Sequence, residues 1–329
     1  MPRVLVCGLG SIGARHVRNL RAMGHGEVAA FRSRRLDAGE PLAGVPTFDS
    51  LETALRRYAP EVALVTNPTA LHLQTALACA RAGCHVFIEK PLSHDEDGVE
   101  ELVAELARNE RFGMVGYMLR FHPLFRRLKE WAELGEAGPI GRIVWLRTSW
   151  GEHLVDWHPW EDYTTGYAGR ADLGGGPELT LSHDLDLIAW LMDAEPVTTL
   201  KLANRSSPLA IDVPHGVDML LAFATGATAN VHLDYFQLPP WRQFEVVGTL
   251  GRGLVDYYAG RLTLHRGTIG LPAADVAPEE IGVPPGWERN DMFVAELGYF
   301  LQCVAEGRQP QPSIEAAARV VRMAIRGGS

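Results

Sequence analysis

Arg3-Val4-Leu5-Val6-Cys7-Gly8-Leu9-Gly10-Ser11-Ile12-Gly13 is the stretch that decides the fold. The apolar, β-branched run up to Cys7 reads as a buried strand. Apolar residues then recur at Ile12, Val17, Leu20 and Met23, with helical spacing. Between strand and helix lies a G-x-G-x-x-G turn. Gly8 permits the tight turn, Gly10 lets the backbone approach a pyrophosphate, and Gly13 lets helix and strand pack closely. The helix that starts at Ser11 and Ile12 offers free N–H groups and the positive end of its dipole to phosphates. Alone the motif is weak; placed after a strand and before a helix, it points to a dinucleotide site.

The strand–helix alternation continues outward from this turn. A strand at 28–31 is followed by a helix at 51–58, a strand at 62–66, a helix at 69–82, a strand at 85–89, a helix at 95–108 and a strand at 112–117. That pattern predicts a doubly wound parallel sheet, an α/β fold of the Rossmann type, over residues 1–120. Ligands of such sheets sit at the carboxyl ends of the strands. Here those ends are Gly8, Arg32, Thr66-Asn67-Pro68 and Glu89-Lys90-Pro91. An NAD site would carry an acidic residue after the second strand to bind the ribose 2′-OH. This chain has Arg32-Ser33-Arg34-Arg35 instead. No carboxylate repels a 2′-phosphate there, and guanidinium forks match phosphate geometry, so Arg32, Ser33 and Arg34 favour NADP over NAD. NAD stays open, because Arg also stacks on adenine.

Composition excludes several other classes. The length of 329 residues suggests two domains, and 47% hydrophobic residues provide material for real cores. A net charge of −9 argues against broad nucleic-acid binding. No apolar run reaches the roughly 18–20 residues of a membrane-spanning helix, and the start lacks a signal peptide's apolar stretch. Cys7, Cys79, Cys84 and Cys303 have no C-x-x-C spacing, so a reduced, cytoplasmic protein is expected. The histidines show no metal-ligand spacing, and no metal is expected. Only three of the 31 cationic residues are lysines: Lys90, Lys129 and Lys201. Lysine differs from arginine in being able to lose its proton. Lys129 and Lys201 read as solvated, whereas Lys90 stands at a strand end where ligands bind.

The N-terminal G-x-G-x-x-G, Thr66-Asn67-Pro68 with His72, Glu89-Lys90-Pro91, Gly174-Gly175-Gly176 and Ser182-His183-Asp184-Leu185-Asp186 together resemble the Gfo/Idh/MocA oxidoreductase family. The resemblance covers nearly the whole chain. It implies a Rossmann domain followed by an α+β domain on a mostly antiparallel open sheet, here over 121–329, with helices at 291–326 packing back. It also implies pyridine-nucleotide chemistry on a secondary alcohol or ketone of a sugar, cyclitol or nucleotide sugar. The family's E-K-P lysine contacts nicotinamide and substrate hydroxyl, a role carried to Lys90, and its Lys–Pro peptide is often cis. Thr66, Asn67, His72 and Glu89 join Lys90 on the cofactor side. The family's open sheet face usually forms an oligomer interface, implying a homodimer or homotetramer.

In the second domain the alternation stops at Arg120. An irregular, aromatic stretch follows, with His153, Trp157, Trp160 and Tyr163. Long loops in compact domains are usually functional, and aromatic faces with polar groups suit a polyhydroxylated ligand. His183, near the start of a helix at 181–192, is the candidate for proton exchange, with an ordinary pKa near 6.5. Arg120, Thr180 and Asp186 complete the substrate-side candidates. The sequence departs from the family at one point: the acidic residue expected four before the histidine is Leu179, and a variant position three before is Thr180. A Thr180 hydroxyl or the Glu178 carboxylate then has to stand in. Two other readings remain: a cofactor-retaining, non-redox sugar enzyme such as an epimerase or eliminating glycosidase, and a non-catalytic nucleotide sensor.

Overall fold

The computed structural model describes residues 1–32, 44–157, 162–267 and 277–327. The chain divides into two compact units: Met1–Tyr117 with Arg289–Val321, and Met118–Glu288 with Arg322–Ser329.

In the first unit, β1 (Val4–Cys7), β2 (Val28–Phe31), β3 (Thr47–Phe48), β4 (Val62–Val65), β5 (His85–Glu89) and β6 (Gly113–Gly116) form a parallel sheet in the order β3-β2-β1-β4-β5-β6. β1, β4 and β6 are buried along their whole length, as strands covered on both faces must be. The helices that cover them are α1 (Ser11–Ala22), α2 (Leu51–Tyr58), α3 (His72–Arg81) and α4 (Val99–Arg108). Strand order reverses between β1 and β4, the switch point at which such sheets bind ligands. Cys7 pairs with Val65, and Val65 with Ile88, so Gly8, Thr66 and Glu89 follow at one level of the sheet.

α4 begins at Val99 rather than at 95. Ser93 Oγ accepts from the Asp95 N–H at 3.3 Å and Asp95 Oδ1 from the Asp97 N–H at 3.2 Å. Short polar side chains that hold the local backbone this way compete with a helix. From the far end of the chain, α8 (Arg289–Glu306) and part of a last helix (Ile314–Ile325, α9) belong to this unit. Asn290 Nδ2 donates to Asn19 Oδ1 at 3.0 Å, and the Val115 N–H to Pro312 O at 3.1 Å.

The second unit holds α5 (Pro123–Leu134), α6 (Pro177–Thr180), α7 (His183–Met192) and eight strands: β7 (Ile143–Gly151), β8 (Thr198–Asn204), β9 (Gly216–Ala222), β10 (Thr228–Asp234), β11 (Trp241–Gly248), β12 (Gly251–Asp256), β13 (Arg261–Arg266) and β14 (Glu279–Gly282). Their order is β14-β13-β12-β11-β7-β10-β9-β8, antiparallel except for β7 with β10. The expected mostly antiparallel sheet is therefore present beside the doubly wound one. α7 is buried on nearly every side, the mark of a helix inside a core. One face of the sheet meets α7 through Thr148 and Arg242. On the other face Leu200, Leu202, Leu220 and Trp241 stand exposed by 45–74%. β8 and β14 are strands the sequence did not reveal. β8 turns its leucines to solvent, so its alternation carries no core signal.

Two lysines read as solvated are not. Lys129 Nζ donates to Trp190 O at 2.8 Å and Lys201 Nζ to Ala324 O at 2.9 Å, with each side chain 16% exposed. In each, the ammonium meets a carbonyl near the end of a helix. The four cysteines are free and buried. Among the described residues, no helix is long and apolar enough to cross a membrane.

Candidate active site

The β1–α1 turn has the form of an anion cradle. Gly8 holds φ at +112°, and a Cβ there would lie 2.7 Å from Asn67 N. A Cβ on Gly13 would lie 2.1 Å from Gly8 O and 2.8 Å from Thr66 Oγ1. Thr66 Oγ1 donates to Gly8 O at 2.8 Å and so fixes the turn from β4. Gly10 differs: a Cβ there meets nothing within 4 Å. Gly10 caps α1 with no side-chain hydrogen bond, and the first turn, with Ser11 and Ile12, carries no acidic residue. Its amides thus remain available to an anion, and a dinucleotide's pyrophosphate fits these residues. Arg32 directly follows β2, its N–H donating to Phe48 O at 3.1 Å. Ser33, Arg34 and Arg35 lie outside the described residues.

At the end of β5, Glu89 faces inward. Its Oε1 hydrogen-bonds His16 Nε2 of α1 at 2.7 Å, and its Oε2 accepts from the Lys90 N–H at 3.2 Å. Glu89 therefore ties the lysine's backbone to the dinucleotide helix. Glu296 of α8 brings a second carboxylate to this pair, with all three groups buried and their ligating atoms within 4.8 Å of one another. The three come from α1, β5 and α8, so no local spacing announces the cluster. The Lys90–Pro91 peptide is cis, and Lys90 is half-buried. His72 straps two strand ends together, with Nδ1 2.8 Å from Pro91 O and Nε2 2.8 Å from Asn67 O. Burial pushes its pKa down. Asn67 Nδ2 donates to Thr75 Oγ1 at 2.8 Å.

In the second unit, His183 is the first residue of α7 and is 2% exposed. The Trp150 indole lies against it, ring centroids 6.1 Å apart and planes tilted by 33°. The three carboxylates next to it in the chain are each paired with a cation. Glu178 pairs with Lys201 at 3.3 Å. Asp184 takes Arg242 on one oxygen and the Thr148 hydroxyl on the other. Asp186 takes Arg120 as a bidentate fork, at 2.9 and 2.7 Å. Burial raises the Asp186 pKa while Arg120 pulls it the other way. Arg120 and Asp186, both expected at substrate, thus hold each other, and Arg120 also lies 5.5 Å from the Trp190 ring centroid. The Thr180 hydroxyl donates to Gly176 O at 2.9 Å and pairs with the Tyr235 hydroxyl.

Trp157 and Tyr163 of the aromatic stretch make contacts within the unit. Trp157 packs edge-on against Tyr235 at 5.4 Å, with its indole N–H buried and, among the described residues, without a hydrogen-bond partner. The Tyr163 hydroxyl accepts from the Ala210 N–H at 3.4 Å. His153 is half-buried and precedes a 3-10 turn at Leu154–Asp156. Trp160 lies outside the described residues. Arg242 had no signal in the sequence; only the β11–β7 register sets it opposite Trp150.

Residues 2–117 match the family model described as "Oxidoreductase family, NAD-binding Rossmann fold", and residues 125–253 match "GFO/IDH/MocA C-terminal domain". The chain is 30% identical to an inositol 2-dehydrogenase of Saccharopolyspora erythraea, over 94% of this chain and 87% of that protein. It is 31% identical to a myo-inositol 2-dehydrogenase of Thermotoga maritima, over 95% and 91%. Among solved structures, a levoglucosan dehydrogenase in complex with NADH and levoglucosan superposes with a TM-score of 0.84 at 20% identity, covering 98% of this chain and 94% of that one. A UDP-N-acetylglucosamine 3-dehydrogenase from Acidithiobacillus ferrooxidans gives 0.81 at 22%, covering 99% and 96%. Matched by two family models in succession and by relatives along nearly its full length, the chain belongs to the Gfo/Idh/MocA family of NAD-binding oxidoreductases.

Proposed function

We propose that this chain interconverts a ring secondary alcohol and its ketone on a cyclitol or sugar, with Lys90 and His183 as catalytic residues. One observation carries the reading: the anion cradle at Gly8–Gly13 and the lysine after Glu89 lie at the same carboxyl edge of one parallel sheet, two strands apart. The inositol dehydrogenase relatives support the substrate class. The α1 amides, Gly10 and Thr66-Asn67 would hold the dinucleotide, and Arg32 would face its adenosine ribose. When bound, the nicotinamide supplies the hydride chemistry. Lys90 polarises the substrate oxygen through its ammonium, while Glu89 and His72 keep that segment in place. His183 takes the hydroxyl proton in oxidation and returns it in reduction.

The finer cofactor preference is part of the same proposal. No carboxylate stands directly after β2, where Arg32 begins a basic run, so NADP(H) binds ahead of NAD(H). The levoglucosan dehydrogenase structure contains NADH, so the comparison is a real test. Dissociation constants for NADPH and NADH should differ in favour of NADPH, and Arg32→Ala should narrow the gap. Equal constants, unchanged in the variant, refute the preference.

Activity is tested with myo-inositol, levoglucosan and UDP-N-acetylglucosamine, each with either oxidised dinucleotide. Lys90→Met should abolish turnover and leave dinucleotide affinity within a few-fold of wild type. Full turnover in that variant overturns the assignment. The exposed leucine face around Leu200, Leu202 and Leu220 is read as the surface that a second copy covers, giving a homodimer or homotetramer. A Leu202→Asp chain should then run smaller in light scattering than wild type.

A further inference from the structure

We infer that His16 of α1 and Glu296 of α8 are positioning residues of Lys90, acting through Glu89, so that the helix opening the dinucleotide turn also sets the place of the lysine. The inference rests on the reading that Lys90 polarises the substrate oxygen. It starts from a link that neither the cradle nor the lysine explains alone. The buried Glu89 carboxylate meets the dinucleotide helix with one oxygen and the lysine's own amide with the other.

The link follows from the spacing along α1. His16 stands three residues after Gly13, and both are buried on one face of the helix. Gly13 has no Cβ, so the helix lies close over Gly8 and Thr66. One turn further on, the imidazole reaches Glu89, the last residue of β5. Nε2 and Oε1 are 2.7 Å apart, with the two side chains 0% and 8% exposed. Nδ1 is buried and, among the described residues, has no hydrogen-bond partner, which places the ring proton on Nε2, where an acceptor stands. Glu89 thus accepts on both oxygens, from the imidazole and from the Lys90 N–H at 3.2 Å. A carboxylate held at both ends cannot turn without releasing one of them, and the second bond fixes the peptide that carries the lysine.

Glu296 stands on the far side of the pair. Glu89 and Gly116 are register partners of β5 and β6, and a Cβ on Gly116 would lie 3.5 Å from Glu296 Oε1. The two carboxylates are therefore neighbours at one level of the sheet, with one oxygen of each and His16 Nε2 all within 4.8 Å of one another. Like charges this close repel, and repulsion from Glu296 keeps Glu89 on His16 and on the Lys90 amide instead of letting it turn toward α8. Phe87 lies edge-on to the imidazole at 5.4 Å and Phe293 at 6.4 Å, so little water screens these charges. The other charged or titratable groups near Glu89 are Arg15 of α1, His72 of α3 and Lys90 itself. A loosened Glu89 displaces the lysine, and a displaced catalytic group costs rate rather than dinucleotide affinity.

The chain has only three lysines, so the placement of Lys90 can be read without turnover. The full chain is labelled with a trace of acetic anhydride, and mass spectrometry gives the rate at Lys90 relative to Lys129 and Lys201 as internal standards. His16→Leu removes the donor. Expected are a shift of at least threefold in the relative Lys90 rate and a fall in kcat of at least tenfold, on whichever of myo-inositol, levoglucosan and UDP-N-acetylglucosamine is turned over. Kd values for NADH and NADPH should stay within threefold of wild type. His16→Gln, whose amide reaches about as far as Nε2, should recover most of both losses. A folded His16→Leu chain with unchanged kcat and unchanged Lys90 labelling overturns the inference, as does a His16→Gln chain that falls as far as His16→Leu. Equal changes at all three lysines mark general loosening and overturn it too. If His16→Leu does not fold, Glu296→Gln keeps the shape and removes the repulsion. It should lower kcat at least threefold and shift the Lys90 rate, and a chain that does neither overturns the inference. Full turnover in Lys90→Met sinks the catalytic reading of the lysine instead, and the labelling ratio separates the two failures.

Discussion

Gly10 and Gly13 sit three residues apart in one turn, yet alanine should act on them in opposite ways. At Gly13 a Cβ would lie 2.1 Å from Gly8 O, against the 3.0 Å below which Cβ contacts are essentially never seen. The obstacle is backbone, so no rotamer relieves it, and the turn must give by close to an ångström. Overpacking of this kind costs about 1–3 kcal/mol. Displacing Gly8 O also weakens its hydrogen bond from Thr66 Oγ1, worth about 0.5–1.5 kcal/mol. At Gly10 a Cβ meets nothing, and the residue's φ of −67° suits any L-amino acid. Gly10→Ala should therefore leave the cofactor-free protein as stable as wild type, or up to about 1 kcal/mol more stable through the unfolded chain. If a pyrophosphate lies over that position, the same methyl group blocks it, and the dinucleotide Kd should rise at least tenfold, about 1.4 kcal/mol. Thermal melts without cofactor and fluorescence titrations with NADH and NADPH read the two quantities separately. A Gly10→Ala chain that binds both dinucleotides like wild type refutes the cradle. A Gly13→Ala chain that melts like wild type refutes the packing argument.

Breaking the buried Arg120–Asp186 fork by Arg120→Ala or Asp186→Ala leaves one charge unpaired and should cost about 3–5 kcal/mol; the Arg120→Met/Asp186→Leu double variant should lose less than either single one in urea melts, and simple additivity would contradict the pairing. His232 lies between Asp218 at 2.7 Å and Asp234 at 3.0 Å, and those hydrogen bonds raise its pKa to about 9. Because the folded value lies above the unfolded one of about 6.5, its stabilisation is complete below pH 6.5 and disappears as the pH rises through 9. With the ring a third exposed, about 1 kcal/mol should be at stake. His232→Gln should flatten the dependence of melting temperature on pH across that window, and an unchanged slope would rule the pair out as its cause. Burial pushes His122 down to about 4, with Arg242 adding to the effect. Its folded value lies below the unfolded one, so its part of the stability is intact above pH 6.5 and is lost on acidification toward pH 4. His122→Asn should make acid melts less steep in that range.

The sequence by itself determined the doubly wound sheet, because strand and helix periods and the glycine spacing of the first turn are local properties of the chain. It also determined the family, through short motifs at strand and helix ends, and it singled out Lys90 as a scarce residue at the edge where ligands bind. What it could not determine is what each polar side chain faces. Arg120 and Asp186 lie far apart in the chain and both read as substrate ligands, yet they meet as a fork. Lys129 and Lys201 read as solvated and are largely buried. The β8 leucines alternate with polar residues but point to solvent, so the sequence did not reveal that strand. Arg242, which no motif marks, stacks on Trp150 because antiparallel register sets them opposite each other. Period and turn chemistry act over a few residues, so they can be read along the chain. Ion pairing and stacking depend on strand register and on which helix covers which face, and those follow only from the packing of the whole unit.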